Sequence, residues 1–67
     1  MRNRTVVVEG GGANLYRIYE SGGRFTAYKV NVRLLSNDET RIGSGRSLED
    51  AISLIQAHSG RRIRSID

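Results

Sequence analysis

The 67-residue chain has no cysteine, no tryptophan, one histidine and one lysine. Without cysteine no disulfide can staple a small fold, and a lone histidine leaves no Cys/His cluster to hold a structural metal. No apolar run is long enough for a signal peptide or a membrane span, so a soluble, cytoplasmic protein without a membrane partner is expected. Catalytic chemistry is equally thin. His58 has no cysteine or evident serine nucleophile to pair with, and it falls at the end of an expected helix, where a histidine complements the dipole. The seven acids are spread over a strand end, a hairpin, a turn, a helix cap and the C-terminus. Glu49 and Asp50 are adjacent, which puts them on different faces of a helix and argues against a paired-carboxylate site. The expectation is a non-enzymatic module with no cofactor, no metal and no small-molecule substrate.

What the chain does have is arginine. Ten of its eleven cations are arginine, and against seven acids they give a net charge of +4. The planar guanidinium fork donates bidentately to phosphates and base edges, which suits a nucleic-acid ligand. Codon bias in a GC-rich genome produces the same skew, and net charge speaks to partners rather than to fold. Size adds a second theme. A chain this short buries only about 60% of the surface its unfolded form exposes, so either its single core suffices or a second copy completes it as a homodimer.

One domain spans residues 1–67, with an N-terminal strand and glycine linker (1–12), a β-meander (13–44), a helix (47–59) and a basic tail (60–67). Met1 to Arg4 reads as a loose basic terminus. Thr5 to Val8 is strongly β-branched and predicts a strand, either at a sheet edge or at a dimer contact through Val6 and Val8. Gly10-Gly11-Gly12 lacks the Lys-Ser/Thr pair of a phosphate loop and precedes a strand where a helix would be required, so it reads as a flexible linker. Tyr16 to Leu35 alternates as a hairpin around Ser21-Gly22-Gly23. Pairing Glu20 with Arg24 across a three-residue loop turns Tyr16, Ile18, Thr26, Tyr28, Val30, Val32 and Leu34 to one face, and Arg17, Tyr19, Phe25, Lys29, Asn31 and Arg33 to the other. Ser36 to Glu39 reads as a polar turn and Thr40 to Ser44 as a third strand, with Leu34 opposite Ile42. Ser47 and Asp50 mark a helix start, Leu48, Ala51, Ile52 and Ile55 form its apolar stripe, and Gly60 ends it. Ile63 and Ile66 have the spacing to dock the tail as a short extra strand. The fold class is therefore α+β: a three- or four-stranded antiparallel meander with one C-terminal helix across one face.

On that register Arg17, Lys29, Arg33 and Arg41 form a cationic outer face interleaved with Tyr19 and Phe25. Cations suit phosphates and aromatic rings suit unstacked bases, although a solvated sheet face carries charges in any case. Arg24 at the hairpin tip and Arg61, Arg62 and Arg64 in the tail complete the candidate phosphate contacts. Tyr19 and Phe25, with Val6 and Val8, are the candidates for a protein interface.

The ordered pattern Tyr16-Arg17, Gly23-Arg24-Phe25-Thr26-Ala27, Ile42-Gly43-Ser44 and Ser47-Leu48-Glu49-Asp50-Ala51 resembles the AP2-type DNA-binding domain, also found as the arm-type domain of some integrases. The similarity covers roughly Tyr16 to His58. It implies a three-stranded sheet on one helix whose open face enters the DNA major groove, so that DNA is favoured over RNA. It also implies a base- or phosphate-contacting role for Arg17, and it puts Arg41 in the place of an outward tryptophan. The chain departs from that pattern in lacking the tryptophans and in a helix cut short by Gly60. The resemblance turns Phe25 and Ala27 toward the helix, opposite to the register above, and a β-bulge near Tyr28 would reconcile the two.

Overall fold

The computed structural model describes residues 2–12 and 14–67. Five strands and one helix follow in the order β1 (Arg2–Val8), β2 (Leu15–Ser21), β3 (Arg24–Val32), β4 (Asn37–Gly45), α1 (Leu48–Ser59) and β5 (Ile63–Ile66). The strands form one antiparallel sheet in the order β4-β3-β2-β1-β5, with α1 across one face. No helix among the described residues is long and apolar enough to cross a membrane.

The α+β meander with a helix on one face is as expected, but the sheet is wider, because the chain uses both ends of β1. Its residues Arg2 to Arg4 pair with Ile18 to Glu20 instead of fraying. After the helix the tail returns along its other side, pairing Val8 with Ile63 and Val6 with Ile66. The valine-rich strand is thus interior rather than at an edge, and Val6 and Val8 are fully buried. Nor is the glycine run a free linker. The Val8 amide donates to the Asn14 carbonyl, Asn14 Nδ2 donates to the Val8 and Gly10 carbonyls, and Arg61 Nη1 reaches the Glu9 and Gly11 carbonyls at 3.4 and 3.2 Å.

The hairpin register also differs from expectation. Gly22 (φ 58°) and Gly23 (φ 78°) both take the left-handed region, the signature of a two-residue turn whose twist matches that of its strands. Ser21 therefore pairs with Arg24 and Glu20 with Phe25, rather than Glu20 with Arg24. A slip of one residue reverses every side chain of β3. Phe25 and Ala27 face the helix, and Tyr28 and Val30 face away. At the next turn the Arg33 amide donates to the Ser36 carbonyl, so Leu34 and Leu35 occupy the tip and Asn37 to Glu39 are already strand. A bulge opposite Ala27 and Tyr28 shifts the β3–β4 register: Ala27 pairs with Gly43 and Tyr28 with Arg41, leaving Ile42 extra.

Ser47 caps α1 by accepting the Asp50 amide at 3.1 Å, and Asp50 Oδ2 accepts the Arg46 amide at 3.0 Å. Gly60, in the left-handed region, closes the helix with a bond from its amide to the Gln56 carbonyl. Ala51 and Ile55 lie fully buried against Val6, Val8, Tyr16, Ile18 and Ala27. The helix sits close because β4 offers glycine where it passes. A Cβ on Gly43 would meet the Leu54 methyls at 3.1 Å, and one on Gly45 would overlap Asp50 Cβ. Overpacking of this kind costs about 1–3 kcal/mol. Gly45→Ala should lower the melting temperature by several degrees, at about 4–8 °C per kcal/mol for a domain of this size. Gly11→Ala, which meets nothing within 4 Å, should leave it unchanged, and thermal unfolding followed by circular dichroism measures both.

Candidate nucleic-acid interface

The face away from the helix is built in rows that cross the strands. One row runs Thr5, Arg17, Tyr28, Arg41 through β1, β2, β3 and β4, and a second runs Asn3, Tyr19, Thr26, Ser44. Tyr19 leans on Tyr28 across the diagonal, with ring centroids 5.2 Å apart and planes at 52°. The Tyr19 hydroxyl donates to the Glu39 carboxylate, 2.8 Å from each oxygen, and Arg17 Nη1 lies 3.3 Å from Glu39 Oε2. The Tyr19 hydroxyl first, and then the Glu39 charge, hold the Arg17 guanidinium above its ordinary pKa against the desolvation that lowers it. Arg17 Nε is buried without a hydrogen-bond partner among the described residues, although the side chain as a whole is 35% exposed. Arg41 is exposed on the edge strand and reaches the Ser44 hydroxyl through a long 3.4 Å bond.

The structure brings Arg17 and Arg41 together on either side of Tyr28, and it disperses the other candidates. Lys29 is across from Tyr16 on the helix side, its Nζ 5.2 Å from that ring's centroid. The register expected from a three-residue loop had put it on the outer face. Phe25, expected outside by the same reasoning, packs on the core, while Tyr19 keeps its outer position. Arg33 pairs with Asp38 at 2.6 Å beside the β3–β4 tip. Arg24 is exposed at the β2–β3 turn, Arg61 is tied to the glycine loop, and Arg62 and Arg64 lie exposed at the far edge beside β1. Val6 and Val8 are core residues and offer no surface. The sequence reading missed Tyr28, which it assigned to the core, and Glu39, which it assigned to a turn. The Gly-Gly pair was the available signal, since two adjacent left-handed residues define the shorter loop.

His58 has a structural place. Tyr16 is 1% exposed, its hydroxyl is hydrogen-bonded to His58 Nδ1 at 3.0 Å, and the two rings meet edge to face. Burial raises the Tyr16 pKa above the usual 10, and the nearby Arg61 charge opposes this only in part. The unfolded state therefore loses its proton first, so stability contributed by Tyr16 is intact below about pH 10 and falls as pH rises from there through the folded-state value. Denaturant titrations at rising alkaline pH should show this loss, and Tyr16→Phe should flatten it. His58→Ala should cost about 1–3 kcal/mol by stranding the buried hydroxyl.

Comparison with known proteins yields no matching family model, no matching curated protein and no matching solved structure.

Proposed function

We propose that the chain is a non-enzymatic nucleic-acid-binding module that works through the open face of its sheet, with DNA as the favoured ligand. The observation that carries this reading is the row Arg17-Tyr28-Arg41 across three adjacent strands, with Tyr19 against Tyr28. Arg41 is the exposed cation for a phosphate or a base edge, and the two tyrosine rings offer stacking surface to an unpaired base. Arg24 extends the positive surface at one end, and Arg62 and Arg64 add peripheral phosphate contacts. The resemblance to AP2-type domains supports the same face and the same Arg17.

Glu39 makes the reading specific enough to test. It places a negative charge in the middle of the proposed contact surface, so its neutralisation should favour an anionic ligand. Fluorescence anisotropy against duplex DNA, single-stranded DNA and duplex RNA, at low and near-physiological salt, is the assay. One DNA form should stay bound at the higher salt. Arg17→Ala with Arg41→Ala should weaken binding and reduce the salt slope by about one for each phosphate that is no longer neutralised. Glu39→Gln, which keeps an acceptor for Tyr19, should tighten it. Binding that ignores all three substitutions, or that vanishes for every ligand as salt rises, would overturn the proposal.

A further inference from the structure

The β3–β4 hairpin outruns the rest of the sheet. Tyr16 pairs with Lys29, so β2 ends opposite Val30, while the β3–β4 ladder continues to Val32 and Asn37 and a turn beyond. At the tip of this arm Leu34 and Leu35 are 98% and 94% exposed, and Val32 behind them is 69% exposed. Beneath the overhang is a notch of about 370 Å³ lined by Gly12, Asn14, Leu15, Val30, Asn31 and Val32. That is at the small end of cavities that hold ligands, roughly 300–1,000 Å³, and its walls are half aliphatic. The arm cannot bend back to fill the notch, because the β3–β4 pairing and the Arg33–Ser36 bond hold it extended.

A projecting apolar knob and a half-aliphatic recess at the same end of one chain can be self-complementary under two-fold symmetry, the commonest symmetry of soluble oligomers. Charge selects the occupant. The chain as a whole is +4, yet the arm beyond β2, from Asn31 to Asp38, holds one arginine against one aspartate, a net of 1 − 1 = 0, Glu39 being taken up by Arg17 and Tyr19. Such an arm has no surplus of cations to hold a phosphate backbone or an anionic lipid surface, and it is where two copies of a cationic protein approach with least repulsion. The Arg33–Asp38 pair is 66% and 53% exposed, so it is free to exchange across the axis, Arg33 of one copy meeting Asp38 of the other.

We propose that the β3–β4 arm is a self-association site, at which two copies meet about a two-fold axis and the Leu34–Leu35 tip of each sits in the notch of the other. This surface is separate from the Arg17-Tyr28-Arg41 row, and the proposal stands whether or not that row binds nucleic acid.

Sedimentation equilibrium on the full chain tests it. The expected mass is twice the 7.5 kDa of one chain, falling to a single chain in Leu34→Ser/Leu35→Ser. Both side chains are bare in one copy, so the circular dichroism of the variant should match the parent. The absence of native cysteine allows a second readout: a Leu35→Cys chain mixed with a Val32→Cys chain should form a mixed disulfide on mild oxidation. A parent chain that remains a single copy at a few hundred micromolar overturns the proposal, as does a dimer that survives the serine substitutions. A monomer whose duplex DNA affinity drops on those substitutions also overturns it and assigns the tip to the nucleic acid instead.

Discussion

Two consecutive left-handed residues, Gly22 and Gly23, decide what each face of this protein carries. A two-residue turn needs positive φ at both central positions, and glycine supplies it at the least steric cost. With that turn, β3 presents Phe25 and Ala27 to the helix and Tyr28 and Val30 to the opposite side. A loop one residue longer would exchange these sets and place aromatic bulk outside and a tyrosine hydroxyl inside. The turn is thus the local choice from which the core and the outer surface both follow.

On the helix side the result is a small core closed by small residues. Ala27 and Ala51 are fully buried, and Gly43 and Gly45 leave room for Leu54 and Asp50, so that α1 approaches β3 and β4 closely. Large side chains then come from the other strands: Val6 and Val8 from β1, Tyr16 and Ile18 from β2. Tyr16 brings the one hydroxyl into this set, and His58 at the end of the helix answers it. On the outer side the same register collects Arg17, Tyr19, Tyr28, Glu39 and Arg41, and Glu39 holds Arg17 and Tyr19 in one cluster. Core and candidate contact surface are therefore two faces of one pairing pattern.

What could be read in the sequence was whatever local chemistry determines. Ser47, Asp50, the Leu48-Ala51-Ile52-Ile55 stripe and Gly60 define the helix within one short segment, and the structure places its cap and its end there. The alternation of Tyr16 and Ile18 on the buried side of β2 was equally plain, and Ile63 and Ile66 do pair as a final strand. The β3 register was not readable from alternation, because it depends on whether Ser21 belongs to the loop or to the strand. Lys29 then followed β3 to the helix side, where its ammonium lies over the Tyr16 ring and its aliphatic stem can cover apolar surface. Asp38 and Glu39 looked like turn chemistry because charged residues mark edge strands as well as turns. Leu34 and Leu35 misled in the opposite sense: adjacent leucines suggest burial, and here they are the most exposed large hydrophobic residues described. The interior position of β1 depended on pairing with a segment more than fifty residues away, which no local pattern encodes.

Nuclear Overhauser contacts between α-protons report directly on the register across Gly22-Gly23. In the two-residue turn Glu20 faces Phe25 and Ile18 faces Ala27, and in a two-residue hairpin these are the closely spaced, non-hydrogen-bonded pairs. Strong Hα–Hα contacts are expected for Glu20–Phe25 and Ile18–Ala27. Contacts of Glu20 with Arg24 and of Ile18 with Thr26 would mean the longer loop, would return Lys29 and Phe25 to the outer face, and would contradict the composition of the surface described above.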